Sequence, residues 1–170
     1  LINDMVYDMD VLHPDLPNSM NMFLNYWEES FAQAQAGELM LKEGTRSSSK
    51  GVPLKDLQLL APVPFPQSCR DGYAFRQHVA SARKNRKVDM IPEFDQFPIF
   101  YFTNHHSISG PGDIKCMPDH FHKLDFELEA SIVICKHGRN IKAADAHEYI
   151  GGLMIMNRSE ERRVGKECLP

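Results

Sequence analysis

The stretch Lys123-Leu124-Asp125-Phe126-Glu127-Leu128-Glu129 decides how this chain is read. In an extended strand, residues two apart share a face, so Asp125, Glu127 and Glu129 stack on one side. Phe126, Leu128 and Ala130 occupy the other side and are expected to face the core. Three carboxylates gathered on one face call for a counter-charge, and convergent oxygen ligands suit a hard divalent cation. The same alternation also describes a half-buried strand whose acidic wet face discourages edge pairing. The next residues, Ser131-Ile132-Val133-Ile134-Cys135, are apolar on both faces and imply that the strand runs on into the interior.

Working outward, Ser109-Gly110-Pro111-Gly112-Asp113 is a turn signal, and Pro98 to Thr103 reads as a buried strand before it. Asp71 precedes a helical pattern in which Phe75, Val79 and Ala82 share a face, with His78 beside them and expected to point inward. Leu57 to Leu60 reads as a short apolar strand, followed by an extended lead-in through Pro62, Pro64 and Pro66. On the C-terminal side, Lys136 to Asn140 fits a hairpin turn and Ala143 to Tyr149 a short helix. Leu153 to Met156 reads as a buried strand after the Gly151-Gly152 break. Near the N-terminus, Ser19 can cap one amphipathic helix carrying Phe23, Trp27 and Phe31 and ending at Gly37. Residues 43 to 51 then form a polar loop.

With 170 residues there is room for one ordinary domain and a small appendage. A net charge of −4 with scattered basic residues gives no footprint for nucleic acid, and the Arg83 to Lys87 cluster reads as a solvated helix face. No apolar run approaches the ~20 residues of a membrane span, and no basic-then-apolar leader opens the chain. Cys69, Cys116, Cys135 and Cys168 form neither a CxxC pair nor a dense disulfide framework. Reduced thiols and a cytoplasmic location are therefore expected.

Three ordered blocks carry a likeness to a known family: Asp71-x-Tyr73-x-x-Arg76-Gln77-His78, Leu124 to Glu129, and Ala146 to Asn157. From about Leu60 to Asn157 the chain resembles the fumarylacetoacetate hydrolase family. The resemblance implies an α+β, mixed β-rich fold, here incomplete, with a small N-terminal α/β appendage. It divides the chain into an accessory region at 1–57, the first part of a catalytic domain at 58–157 and a tail at 158–170. It also implies a divalent metal, Mg²⁺ or Ca²⁺, held by Asp71, Glu127 and Glu129, with His78 as general base and Tyr73 and Tyr101 contacting substrate. The implied reaction is hydrolytic carbon–carbon cleavage of a fumarylacetoacetate-like or acylpyruvate substrate, a small β-diketo acid, by a homodimer. Imidazole suits such a base because its ordinary pKa of ~6.5 leaves it neutral near pH 7. A lyase or tautomerase acting on a small 2-oxo acid is the alternative within the family, and an inert fragment is the non-catalytic one.

Each residue also has a plainer reading. Asp71 can cap a helix, and His78 can be a satisfied core histidine. His105, His106, His120 and His122 offer a competing zinc reading, since zinc favours nitrogen ligands. After Asn157 the family pattern continues with an Asp as a fourth ligand, whereas Arg158 stands here. The run from Arg158 to Cys168 resembles the translation of a common sequencing adapter and is expected to add nothing to the fold. A chain ending there is expected to expose a sheet edge and core, to be poorly soluble and to be inactive.

Overall fold

The computed structural model describes residues 1–46, 50–115, 118 and 124–161. They fall into two compact units, Leu1–Leu59 with Pro111–Pro170 and, separately, Leu60–Gly110. The architecture is mixed helix and sheet, α+β, with three two-stranded antiparallel sheets among the described residues.

In the first unit, β1 (Met5–Val6) pairs with β2 (Val52–Pro53), and three helices lie between them: α1 (Met9–Leu12), α2 (Met20–Asn25) and α3 (Trp27–Lys42). The Ser19 hydroxyl accepts from the Met22 amide, the expected cap. The single helix expected from the sequence is two, broken at Tyr26 with φ −114° and ψ 40°. Gly37 does not end α3, which runs five residues further to Lys42. Its role is close approach, because a Cβ there would collide with the Leu12 backbone of α1. Phe23, Leu41 and Leu16 of this unit are buried.

The dominant element of this unit is the hairpin of β5 (Leu124–Ile134) and β6 (Ile150–Glu161). Its strands are joined by a longer connection than a tight turn, containing the 3₁₀ segment Ala143–Tyr149, with Asn140 at φ 56°. Arg158 to Glu161, the start of the tail, continue β6 and pair with Leu124 to Glu127. Gly151 seats the hairpin on the helices: a Cβ there would lie 3.1 Å from the Trp27 ring and 2.8 Å from Cys135 Cβ. Trp27 stacks on Phe31 at 4.7 Å and meets Phe23 edge-on at 5.9 Å. Each such pair contributes about 0.5–1.5 kcal/mol beyond area burial. Lys136 Nζ reaches Glu28 Oε1 of α3 at 3.2 Å, and burial pushes the Cys135 thiol above its ordinary pKa.

The alternation in β5 is as expected, but its faces are reversed. Asp125, Glu127, Glu129, Ser131 and Val133 are half-buried, whereas Phe126 and Leu128 are 67% and 70% exposed. On β6, Leu153 and Ile155 are likewise exposed, at 78% and 79%, so the expected buried strand there is an open apolar face. A two-stranded ribbon has no second layer of its own, and Trp27 of α3 meets it at Gly151.

In the second unit, β3 (Arg70–Gly72) pairs with β4 (Phe100–Phe102), and α4 (Arg76–Asn85) follows β3. The expected strand at Leu57 to Leu60 is absent, with Leu59 and Leu60 exposed in irregular backbone ahead of the prolines. The expectation of a buried strand at Pro98 to Thr103 gives way to a short exposed one. There the Arg70 guanidinium lies over Phe102 at 4.9 Å and Phe100 at 5.3 Å. Arg76 grips Asp95 through two hydrogen bonds of 3.0 and 3.1 Å.

Candidate metal and active-site residues

Glu127 and Glu129 project from the same half-buried face of β5, with carboxylate oxygens within 4.8 Å of one another. The strand's two-residue repeat is what brings them together. Such oxygens are the hard donors that Mg²⁺ and Ca²⁺ prefer, so the pair suits a divalent ion in its chemistry. Asp125 shares the face but turns one oxygen onto the Phe126 amide at 2.9 Å. Directly opposite Glu127 in the register is Arg158, whose Nη2 donates to Glu127 Oε2. The basic residue is mostly covered, with 19% of its side chain exposed.

Asp71 belongs to the second unit. It is the central residue of β3 and not a helix cap, because α4 begins after Phe75, whose side chain makes no capping bond. Its carboxylate accepts from the Tyr101 hydroxyl at 2.6 Å, so Tyr101, expected to contact substrate, is Asp71's cross-strand partner. Tyr73 follows two residues after Asp71 and extends the ladder by one bond, its amide donating to Ile99 O at 3.1 Å.

His78 lies in the first turn of α4 and is exposed, which corrects the inward orientation expected from the sequence. The helix buries a narrow stripe centred on Val79, and one residue's rotation of about 100° carries His78 off that stripe. Phe75, expected on the inner face, is 73% exposed. His78 lines a shallow, open depression with Phe75, Arg76, Gln77 and Ser81.

His105 and His106 sit in a short 3₁₀ turn with ring centroids 4.1 Å apart, capped by Asn104. His120 and His122 lie outside the described residues. Among the described residues, His105 and His106 belong to no group of three or more potential ligands. Cys116 and Cys168 also lie outside the described residues.

The profile of the fumarylacetoacetate (FAA) hydrolase C-terminal family matches residues 67–167, and the chain belongs to that family. Among curated proteins it is similar to oxaloacetate tautomerase FAHD2B, mitochondrial, of Homo sapiens, 28% identical over 96% of this chain and 49% of that protein. It is 29% identical to oxaloacetate tautomerase Fahd2a, mitochondrial, of Rattus norvegicus, with the same coverage of each chain. Fumarylacetoacetate hydrolase domain-containing protein 2 of Pongo abelii is 26% identical, again over 96% of this chain and 49% of that protein. The chain thus spans about half the length of the curated relatives it matches.

Proposed function

We propose that this chain is part of an enzyme acting on a small 2-oxo acid at the carbon beside its carbonyl, with His78 moving the proton. The observation that carries the reading is the Glu127–Glu129 carboxylate pair on β5, in a chain of this family. By the family resemblance, Asp71 joins that pair in holding Mg²⁺ or Ca²⁺. When bound, such a cation polarises a carbonyl oxygen and steadies an enolate. His78 takes the proton from the adjacent carbon, or from water, and hands it back. Tyr73 and Tyr101 orient the acid, Tyr101 by setting the Asp71 carboxylate.

The names of the relatives favour keto–enol tautomerisation of a 2-oxo diacid such as oxaloacetate. Hydrolytic carbon–carbon cleavage of fumarylacetoacetate-like or acylpyruvate substrates is the second reading, favoured by the family's description. Proton removal beside a carbonyl, or from a water attacking it, asks the same of these residues, so substrate decides between them. A panel of oxaloacetate and acylpyruvates, assayed on the longest natural form with added Mg²⁺, separates the two. Faster loss of the oxaloacetate enol absorbance, without acylpyruvate cleavage, supports tautomerisation; cleavage alone reverses the order, and neither activity overturns both. A homodimer and a cytoplasmic location are part of the proposal; the word mitochondrial in the relatives' names makes cell fractionation the test of the latter.

A further inference from the structure

We propose that the C-terminal end of α4 carries a binding site for a small organic dianion, on the side of the helix away from His78. Ala80, Arg83 and Lys84 share one face at three- and four-residue spacing. At about 100° per residue, that face lies roughly half a turn round the helix from His78. With Lys87 they line an open depression of about 390 Å³, whose apolar part is Ala80, Val88 and Met90. Three of the lining side chains are cations and one, Asp89, is a carboxylate, which leaves a surplus of two positive charges. A dianion neutralises that surplus, and an organic body uses the apolar part. A merely solvated helix face, the plainer reading of the Arg83 to Lys87 cluster, needs no such floor.

The way α4 ends is a second, independent observation. The Val88 amide donates to Arg83 O at 3.1 Å and the Lys87 amide to Lys84 O at 3.0 Å, so backbone alone satisfies these last carbonyls. The turn puts Lys87 at φ 57°, in the left-handed region where glycine is the usual residue. Lysine there carries backbone strain that glycine would remove, and capping gives nothing in return because the carbonyls are already bonded. What the position gains is a charge beside Lys84. Arg83 is half-buried, and its Nε donates to Asp89 O, which holds the guanidinium against the turn. Lys84 and Lys87 are exposed and make no ion pair among the described residues. Two ammonium groups beside a fixed guanidinium attract an anion through charge-assisted hydrogen bonds.

The test uses no metal and no 2-oxo acid, so it stands apart from the proposed reaction. The full 170-residue chain is titrated calorimetrically with phenyl phosphate, phthalate and inorganic phosphate, at low salt and about pH 8, where phosphate monoesters are dianions. Phenyl phosphate or phthalate should bind saturably and more tightly than inorganic phosphate, and whichever of the two is tighter names the head group. Lys87→Gly removes a charge and relieves the backbone, so its urea midpoint should hold or rise while affinity falls roughly threefold or more. Lys84→Gln should weaken binding similarly. Lys55→Gln, in the first unit, and His78→Ala should bind as the parent chain does. No saturable binding, inorganic phosphate binding as tightly as the organic anions, or parent-like binding by Lys87→Gly and Lys84→Gln overturns the proposal. An equal loss in Lys55→Gln, which marks general charge attraction, or in His78→Ala, which puts the anion at the other depression, also overturns it. Should Lys87→Gly fail to fold, Lys84→Gln decides on the same terms.

Discussion

The Tyr101 hydroxyl donates a 2.6 Å hydrogen bond to Asp71 Oδ2 directly across the β3–β4 pair, in which the two residues are partners. A phenol held by its strand thereby fixes one carboxylate oxygen and leaves the orientation of the other determined. Tyr101→Phe removes the donor and keeps the ring. Because the pair is exposed, the expected loss is modest, about 0.5–1.5 kcal/mol in a urea titration. Asp71→Asn, which keeps an acceptor oxygen, should cost less than Asp71→Ala. Equal losses for the two would show that the hydrogen bond does not organise this strand pair.

His78→Ala is expected to abolish turnover by the intact enzyme while leaving divalent-cation binding unchanged, since the residue is exposed on α4 and a change there disturbs no buried packing. Glu127→Ala should weaken both. Steady-state rates and calorimetry on the same preparations check the pair of statements, and full turnover by His78→Ala ends the general-base assignment.

The Arg76–Asp95 pair is expected to lend the second unit a small stability that is lost in acid. The hydrogen bonds from Arg76 hold the Asp95 carboxyl below its ordinary range, and the same contact raises the guanidinium's pKa. A carboxyl depressed in the folded state contributes stability that is present above its unfolded pKa. That contribution fades as pH falls through the lowered folded value. The urea midpoint of the parent chain should therefore drop on acidification below the ordinary carboxylate range by more than that of Asp95→Asn. Parallel pH profiles would show that the pair contributes nothing.

The exposed apolar face of the β5–β6 ribbon is expected to govern the solution behaviour. Phe126, Leu128, Leu153 and Ile155 are each about two-thirds or more exposed on one side of a sheet that is two-stranded among the described residues. Exposed apolar strands of this kind associate. Replacing Leu128 and Leu153 by Thr, which keeps β propensity, should raise the soluble, monodisperse fraction seen in size-exclusion chromatography and reduce binding of a hydrophobic dye. An unchanged elution profile would place the association elsewhere.

How much of this was legible before the fold is clearest in β5. The alternation correctly put Glu127 and Glu129 on one side, because strand parity is a property of the backbone alone. It assigned the wrong side to the interior, because burial depends on what covers each face, which strand parity does not encode. The same limit explains Val79 and His78: periodicity located α4, yet a helix with one narrow contact buries less than its apolar pattern allows. Gly37 read as a stop signal, but its small size serves the α1–α3 contact, which no local pattern encodes. At the site, Arg158 was visible as a departure from the family pattern. That it would meet Glu127 followed only from the register of two strands far apart in the chain. Tyr101's tie to Asp71 was hidden for the same reason.

Trp27 is the single tryptophan of the chain, and its ring rests against the notch that Gly151 leaves at the foot of the hairpin. That placement turns one indole into an optical gauge of whether ribbon and helices stay docked. A red-shifted emission spectrum would report their separation while the helices themselves remain wound, and a bulky replacement at Gly151 should produce that shift without any denaturant.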